Sequence, residues 1–138
     1  SQIAYLLLSS LAAAFAVALL KGQSAHSCPC DLTAFGGSAD LFLIGSSANA
    51  AGLNPGPGKC FPSGHASVGW MWIGACFVRW PRAGAEIKFS VLLAAALVSI
   101  TQVLRGAHFT SHVLVSAAVC VAVAALVLHA YTWAFKRT

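Results

Sequence analysis

The chain has 138 residues, of which 59% are hydrophobic and 8% charged, and its net charge is +5. A soluble domain carries about a quarter charged residues, so this chain cannot cover a water-facing surface. Its eight basic residues are scattered through apolar segments and form no stripe; that argues against nucleic acid as a partner and for membrane lipids as the surroundings.

A bilayer core takes about 20 apolar residues to cross as a helix. In lipid every backbone polar group must be satisfied within the chain, so such segments fold as helices and the expected class is an all-α integral membrane protein. The first segment covers about 2–20 and stops at Lys21. It opens on Ser1, has no basic stretch before it, and Ala-Phe-Ala-Val-Ala-Leu-Leu-Lys is a weak cleavage context. A membrane helix is therefore expected rather than a signal peptide, in a fragment or processed form that lacks upstream segments.

A long connection, 22–62, follows. Asn54-Pro55-Gly56-Pro57-Gly58 excludes continuous helix there. Within it, Ala39 to Leu53 contains Gly45, two serines and Asn49; it is too polar and short to span, and an interfacial or re-entrant helix is expected. A loop of this length in a small protein is more often functional than idle. The second apolar segment, about 65–80, is short and rich in Trp. The third covers about 87–104 and the fourth about 112–135. The expectation is a single membrane domain, 1–138, with about four transmembrane helices.

Counting sides places Lys21, the loop, His65 and Arg105 at one face. Arg79, Arg82, Lys88, Lys136 and Arg137 fall at the other. The positive-inside rule makes the second face cytoplasmic. Ser63, His65, His108 and His112 then share the outer face with Lys21 and Arg105, which would be the periplasmic face of a bacterial inner membrane.

Cys28, Cys30 and Cys60 lie in the outer loop, and Cys76 and Cys120 lie in helices as packing residues. An oxidising compartment permits disulfides. Cys60 can pair with Cys28 or Cys30, and free thiols are equally open; spacing does not choose. Cys-Pro-Cys with nearby His26 suggests a metal, but no second close pair completes a zinc site.

Pro62-Ser63-Gly64-His65 is suited to open a helix, with Pro at its start and Ser as cap. Free N–H groups there attract an oxyanion. Gly64 lets the backbone approach closely, and the Ser63 hydroxyl and His65 imidazole can each bond a phosphate oxygen. A capped helix and nothing more is the plain alternative. His108 and His112, spaced i and i+4, share one face if a helix begins near 108, with Thr110 and Ser111 as candidate caps. That spacing also suits a metal or a haem, yet no carboxylate is near in sequence.

These two stretches, Pro62-Ser63-Gly64-His65 and Gly106-Ala107-His108-Phe109-Thr110-Ser111-His112, resemble the second and third signatures of the type 2 phosphatidic acid phosphatase family. That family includes lipid phosphatases, undecaprenyl-pyrophosphate phosphatases and vanadium haloperoxidases. Its first signature, Lys, six residues, then Arg-Pro, has the spacing of Lys21 to Cys28-Pro29. The membrane enzymes of the family usually have six helices, and the four segments here are similar to the last four. The resemblance implies that His108 is a nucleophile forming a phosphohistidine, and that His65 is the general acid for the leaving oxygen. It implies that Lys21, Ser63 and the Gly64 N–H hold phosphoryl oxygens, with no metal and no cofactor. The expected substrate is a lipid phosphate or pyrophosphate.

Three positions depart from the family pattern. Cys28 and Gln102 stand where the family has arginines, and His112 stands where an acid orients the nucleophile. Arg105, one turn beyond Gln102, can reach the same phosphate; His112 can orient His108 as a neutral acceptor, and Asp31 can do so if the loop folds in. The alternative expectation is a non-catalytic relative packed among other membrane subunits, for which abundant Ala and Gly allow close helix contacts. Trp70, Trp72, Trp80 and Trp133 are expected at interfaces or between helices.

Overall fold

The computed structural model describes residues 1–42, 52–80 and 84–135, with nothing said of the side chain of residue 135. The segment expected to form an interfacial helix falls mostly on 43–51, outside the described residues, as do Arg82, Lys136 and Arg137. The described residues form four α-helices: α1 (Gln2–Gln23), α2 (Gly64–Trp70), α3 (Gly84–Leu104) and α4 (Thr110–Phe135). Among them there is no strand, only an isolated bridge between Leu32 and Ala39. The chain is thus all-α.

Three helices, α1, α3 and α4, are long and apolar enough to cross a membrane. They turn their large side chains outward: Leu7, Leu11, Phe15, Phe89, Leu97, Leu114 and Leu126 are all exposed. The interior holds small and polar groups instead, including Ser9, Ser10, Ala13, Ala95, Ser116 and Ala124. This inside-out distribution suits lipid, where helices gain by close backbone approach rather than by hiding Leu from water.

The second apolar segment differs from the expected regular helix. After α2 it tightens into a 3-10 helix, Met71–Cys76. The segment is closely packed on both sides. A Cβ on Gly69 would lie 2.8 Å from the Ala95 Cα, and one on Gly74 would lie 2.7 Å from the Ser9 Oγ. Tighter winding raises the advance per residue, so α2 and the 3-10 helix together reach about 22 Å. Trp70 is held inside by its indole N–H donating to Ser99 Oγ at 2.9 Å, while Trp72 and Trp133 are exposed.

The ends of the elements sort into two groups. At one end, Gln2 donates to the Arg79 carbonyl at 2.9 Å, and the Ser1 ammonium meets the Tyr131 hydroxyl. At the other end lie Lys21, Gly64 and the turn between α3 and α4. A core of Ala13, Val17, Ile73, Cys120 and Ala124 joins the two, and Tyr5 crosses it to donate to the Ala124 carbonyl at 3.1 Å.

The loop after α1 is stitched down over the second end. Lys59 N–H donates to the Ser24 carbonyl at 2.7 Å and Cys60 N–H to the His26 carbonyl at 2.9 Å. Ser27 donates to the Pro55 carbonyl at 2.6 Å and accepts from Gly58 N–H. A disulfide joins Cys28 to Cys60, with Cα atoms 5.1 Å apart. It settles the partner that spacing left open and leaves Cys30 free and exposed.

Candidate active site

Two helix ends build the site. α3 stops where Gly106 takes φ +70°, a left-handed conformation that glycine adopts without strain. The N–H groups of Ala107 and His108 then turn back to the Gln102 carbonyl, at 3.0 and 3.2 Å. This closing turn reverses the chain and sets His108 just before α4. Opposite it, the chain enters α2 through a cis Phe61–Pro62 peptide, and Ser63 caps the helix by accepting from Ala66 N–H at 3.1 Å.

The two ends are bonded together. Ser63 N–H donates to the His112 carbonyl at 3.0 Å. Ser116, fully buried one turn further along α4, donates to the Ser63 carbonyl at 2.7 Å. The result is that His65 Nδ1 faces His108 Nε2 across 3.3 Å. His108 is 4% exposed, whereas His65 is open to the surroundings. Lys21 completes the group: its Nζ lies 3.4 Å from where a Gly64 Cβ would stand. An added side chain at Gly64 would press on that ammonium.

The pKa of His108 is lowered to about 4. Burial is the main cause, followed by electrostatic opposition from the neighbouring His112, His65 and Lys21 to a charge on this ring. The imidazole is therefore neutral at physiological pH, the form in which it can act as a nucleophile.

The other expected residues are placed as follows. Arg105 is exposed and shares with His108 a cavity of about 460 Å³, lined also by Pro29, Phe35 and Phe109. A larger cavity of about 690 Å³, lined by His26, Asp40, Phe42 and His112, lies one ring away from His108. The Ser63 hydroxyl is wholly buried and engaged as a cap. His112 packs edge-on to His108 with ring centres 5.8 Å apart, and also against Phe61 and Phe109. Its Nδ1 has no hydrogen-bond partner among the described residues. Asp31 spends its carboxylate on Cys28 N–H at 3.2 Å, closing its own turn. Thr110 and Ser111 lie inside the first turn of α4, where the Phe109 carbonyl accepts from His112 N–H.

The residues missed from the sequence are Cys60 and Ser116. Cys60 Sγ lies 3.3 Å from His108 Nδ1. The sulfurs of Cys28 and Cys60 and a ring nitrogen of His108 lie within 4.8 Å of one another, but the disulfide keeps both sulfurs from serving as thiolate ligands. Ser116, at i+4 from His112, stands on the same helical face, and that spacing was a usable signal.

The fold and site define a class: an all-α membrane protein with paired imidazoles and an ammonium at a helix N-terminus. A family model, the PAP2 superfamily, matches residues 2–136, and the chain belongs to that superfamily. Membership points to a phosphatase-type function in a membrane protein. No curated protein and no solved structure was found to match it.

Proposed function

We propose that the protein hydrolyses a lipid phosphate or pyrophosphate by way of a phosphohistidine on His108. The observation that carries this reading is the facing pair, His65 Nδ1 and His108 Nε2 at 3.3 Å, with Lys21 beside the start of α2. Phosphorus enters between the two rings. His65 swings aside to admit it, as its exposure allows, and then protonates the leaving oxygen. His108 Nε2 attacks; water later cleaves the P–N bond, with His65 as the base. Lys21, the Gly64 N–H and the Ser63 hydroxyl hold phosphoryl oxygens as charge builds. Arg105 supplies a second cation from the shared cavity. His112 acts by position: its ring bounds His108 and its carbonyl holds the Ser63 N–H. The site faces the outer, periplasmic side of a bacterial inner membrane, in keeping with the loop charges, and no metal or cofactor is called for. Purified protein is expected to release inorganic phosphate from phosphatidate or a polyprenyl diphosphate, and His108→Ala to abolish release. Equal inertness of both proteins across these lipids refutes the reading.

A second reading rests on Cys28 and Gln102. Where the family carries arginines, one is locked in a disulfide and the other is buried with Oε1 unpartnered among the described residues. This suits a non-catalytic relative packed against other membrane subunits. Co-purification with a partner at fixed stoichiometry, without phosphate release, distinguishes it.

A further inference from the structure

His108 has two ring nitrogens, and its reactivity depends on which one carries the proton. Nε2 faces His65 and the space where phosphorus would enter. Nδ1 faces Cys60 Sγ at 3.3 Å, in a site where Cys60 is 1% exposed. The ring of His112 lies edge-on, and the Asp31 carboxylate is engaged elsewhere. Among side chains, the group that meets Nδ1 is therefore a sulfur of the Cys28–Cys60 disulfide, and a backbone hydrogen bond with Cys60 also bears on the ring.

A disulfide sulfur carries no proton and can only accept, weakly, a hydrogen bond. A favourable contact with it requires the proton on Nδ1. Nε2 then keeps its lone pair, and His65 Nδ1–H can donate to it in the resting site. We propose that Cys60, in its disulfide with Cys28, is the positioning residue that selects the reactive tautomer of His108; this rests on the phosphatase reading above. Cys60, through its disulfide sulfur and its backbone, stands in for the missing orienting carboxylate.

The opened form behaves differently. A dithiol reductant gives two electrons and two protons to the disulfide, becoming a cyclic disulfide, and Cys28 and Cys60 become thiols. The Cys60 S–H then has His108 Nδ1 at 3.3 Å and the Ala107 carbonyl at 3.8 Å as acceptors. Donation to Nδ1 moves the ring proton to Nε2 and removes the lone pair that attacks phosphorus. Reduction thus shifts His108 toward the unreactive tautomer.

The test is the ring ¹⁵N spectrum of His108 in the full chain in detergent micelles, with histidine labelled selectively and the His108 signals assigned by their loss in His108→Gln. Untreated protein is expected to show a protonated, pyrrole-type Nδ1 and a pyridine-type Nε2. This readout needs no catalysis, so it separates failure of the inference from failure of the phosphatase reading. Dithiothreitol, or Cys28→Ala, is expected to move Nε2 toward the pyrrole type. The kcat of reduced protein is expected to fall by up to about tenfold, the size of one hydrogen bond, with KM little changed. A pyrrole-type Nε2 in the untreated protein overturns the proposal. So does a tautomer that stays the same in untreated protein, reduced protein and the Cys28→Ala, Cys60→Ala double variant.

Discussion

Ser116 donates its hydroxyl to the Ser63 carbonyl at 2.7 Å, and the same hydroxyl lies 3.0 Å from the His112 carbonyl. One buried proton thus ties the helix that follows His108 to the helix that begins beside His65. With the Ser63 N–H bond to the His112 carbonyl, it ties together the two helix ends that carry the imidazoles. Ser116→Ala leaves a buried carbonyl short of a partner, at a cost of about 1–3 kcal/mol. Thermal unfolding in detergent should show the loss, and phosphate release should fall with it. Unchanged stability would mean that the contact does not hold the site.

The charge of His108 sets the acid side of the pH profile. With a pKa of about 4, the ring is neutral and competent above that value, so kcat/KM is expected to fall as pH drops below about 4. The same shift links to stability. The folded pKa lies below the ordinary 6.5, so the unfolded chain takes up the proton first. This contribution is whole above 6.5, is lost as pH falls from 6.5 to about 4, and is constant below that. His108→Gln should flatten the stability profile across that window, which chemical denaturation at several pH values measures.

The disulfide closes a loop with a sequence separation of 32. Chain-entropy arguments assign such a cross-link about 3–4 kcal/mol. Cys28→Ser should lower the unfolding free energy by about that amount, while Cys30→Ser, at a free and exposed thiol, should leave it unchanged. Equal effects would assign the bond to the wrong cysteine.

Gly69 meets the backbone of Ala95, with 2.8 Å left for a Cβ. Gly69→Ala should push α2 from α3 and destabilise the fold by about 1–3 kcal/mol. Gly22→Ala, where nothing lies within 4 Å, is the control. A thermal melt of the two variants decides it.

Much of this was legible in the sequence. Three membrane helices and both helix ends of the site follow from hydropathy and from Pro62-Ser63-Gly64-His65 and Gly106-Ala107-His108, because those residues act locally. Counting sides puts Lys21 at the same face as these helix ends. What the sequence did not disclose depends on contacts across the bundle. The close packing at Gly69 and Gly74 comes from α3 and α1, and neither it nor the 3-10 winding of the second segment is marked in the local sequence. Cys28 and Cys30 are two residues apart, and only the fold of the loop brings one of them to Cys60. The Cys60 contact with His108 spans 48 positions, and no periodicity encodes it.

The central claim is that His108 carries the phosphoryl group. Incubation of purified protein with ³²P-labelled phosphatidate or polyprenyl diphosphate, followed by an alkaline quench, traps a phosphohistidine if one forms. The expected result is an acid-labile, alkali-stable label on the wild-type chain that disappears in His108→Gln together with phosphate release. Phosphate release that continues in His108→Gln would contradict it.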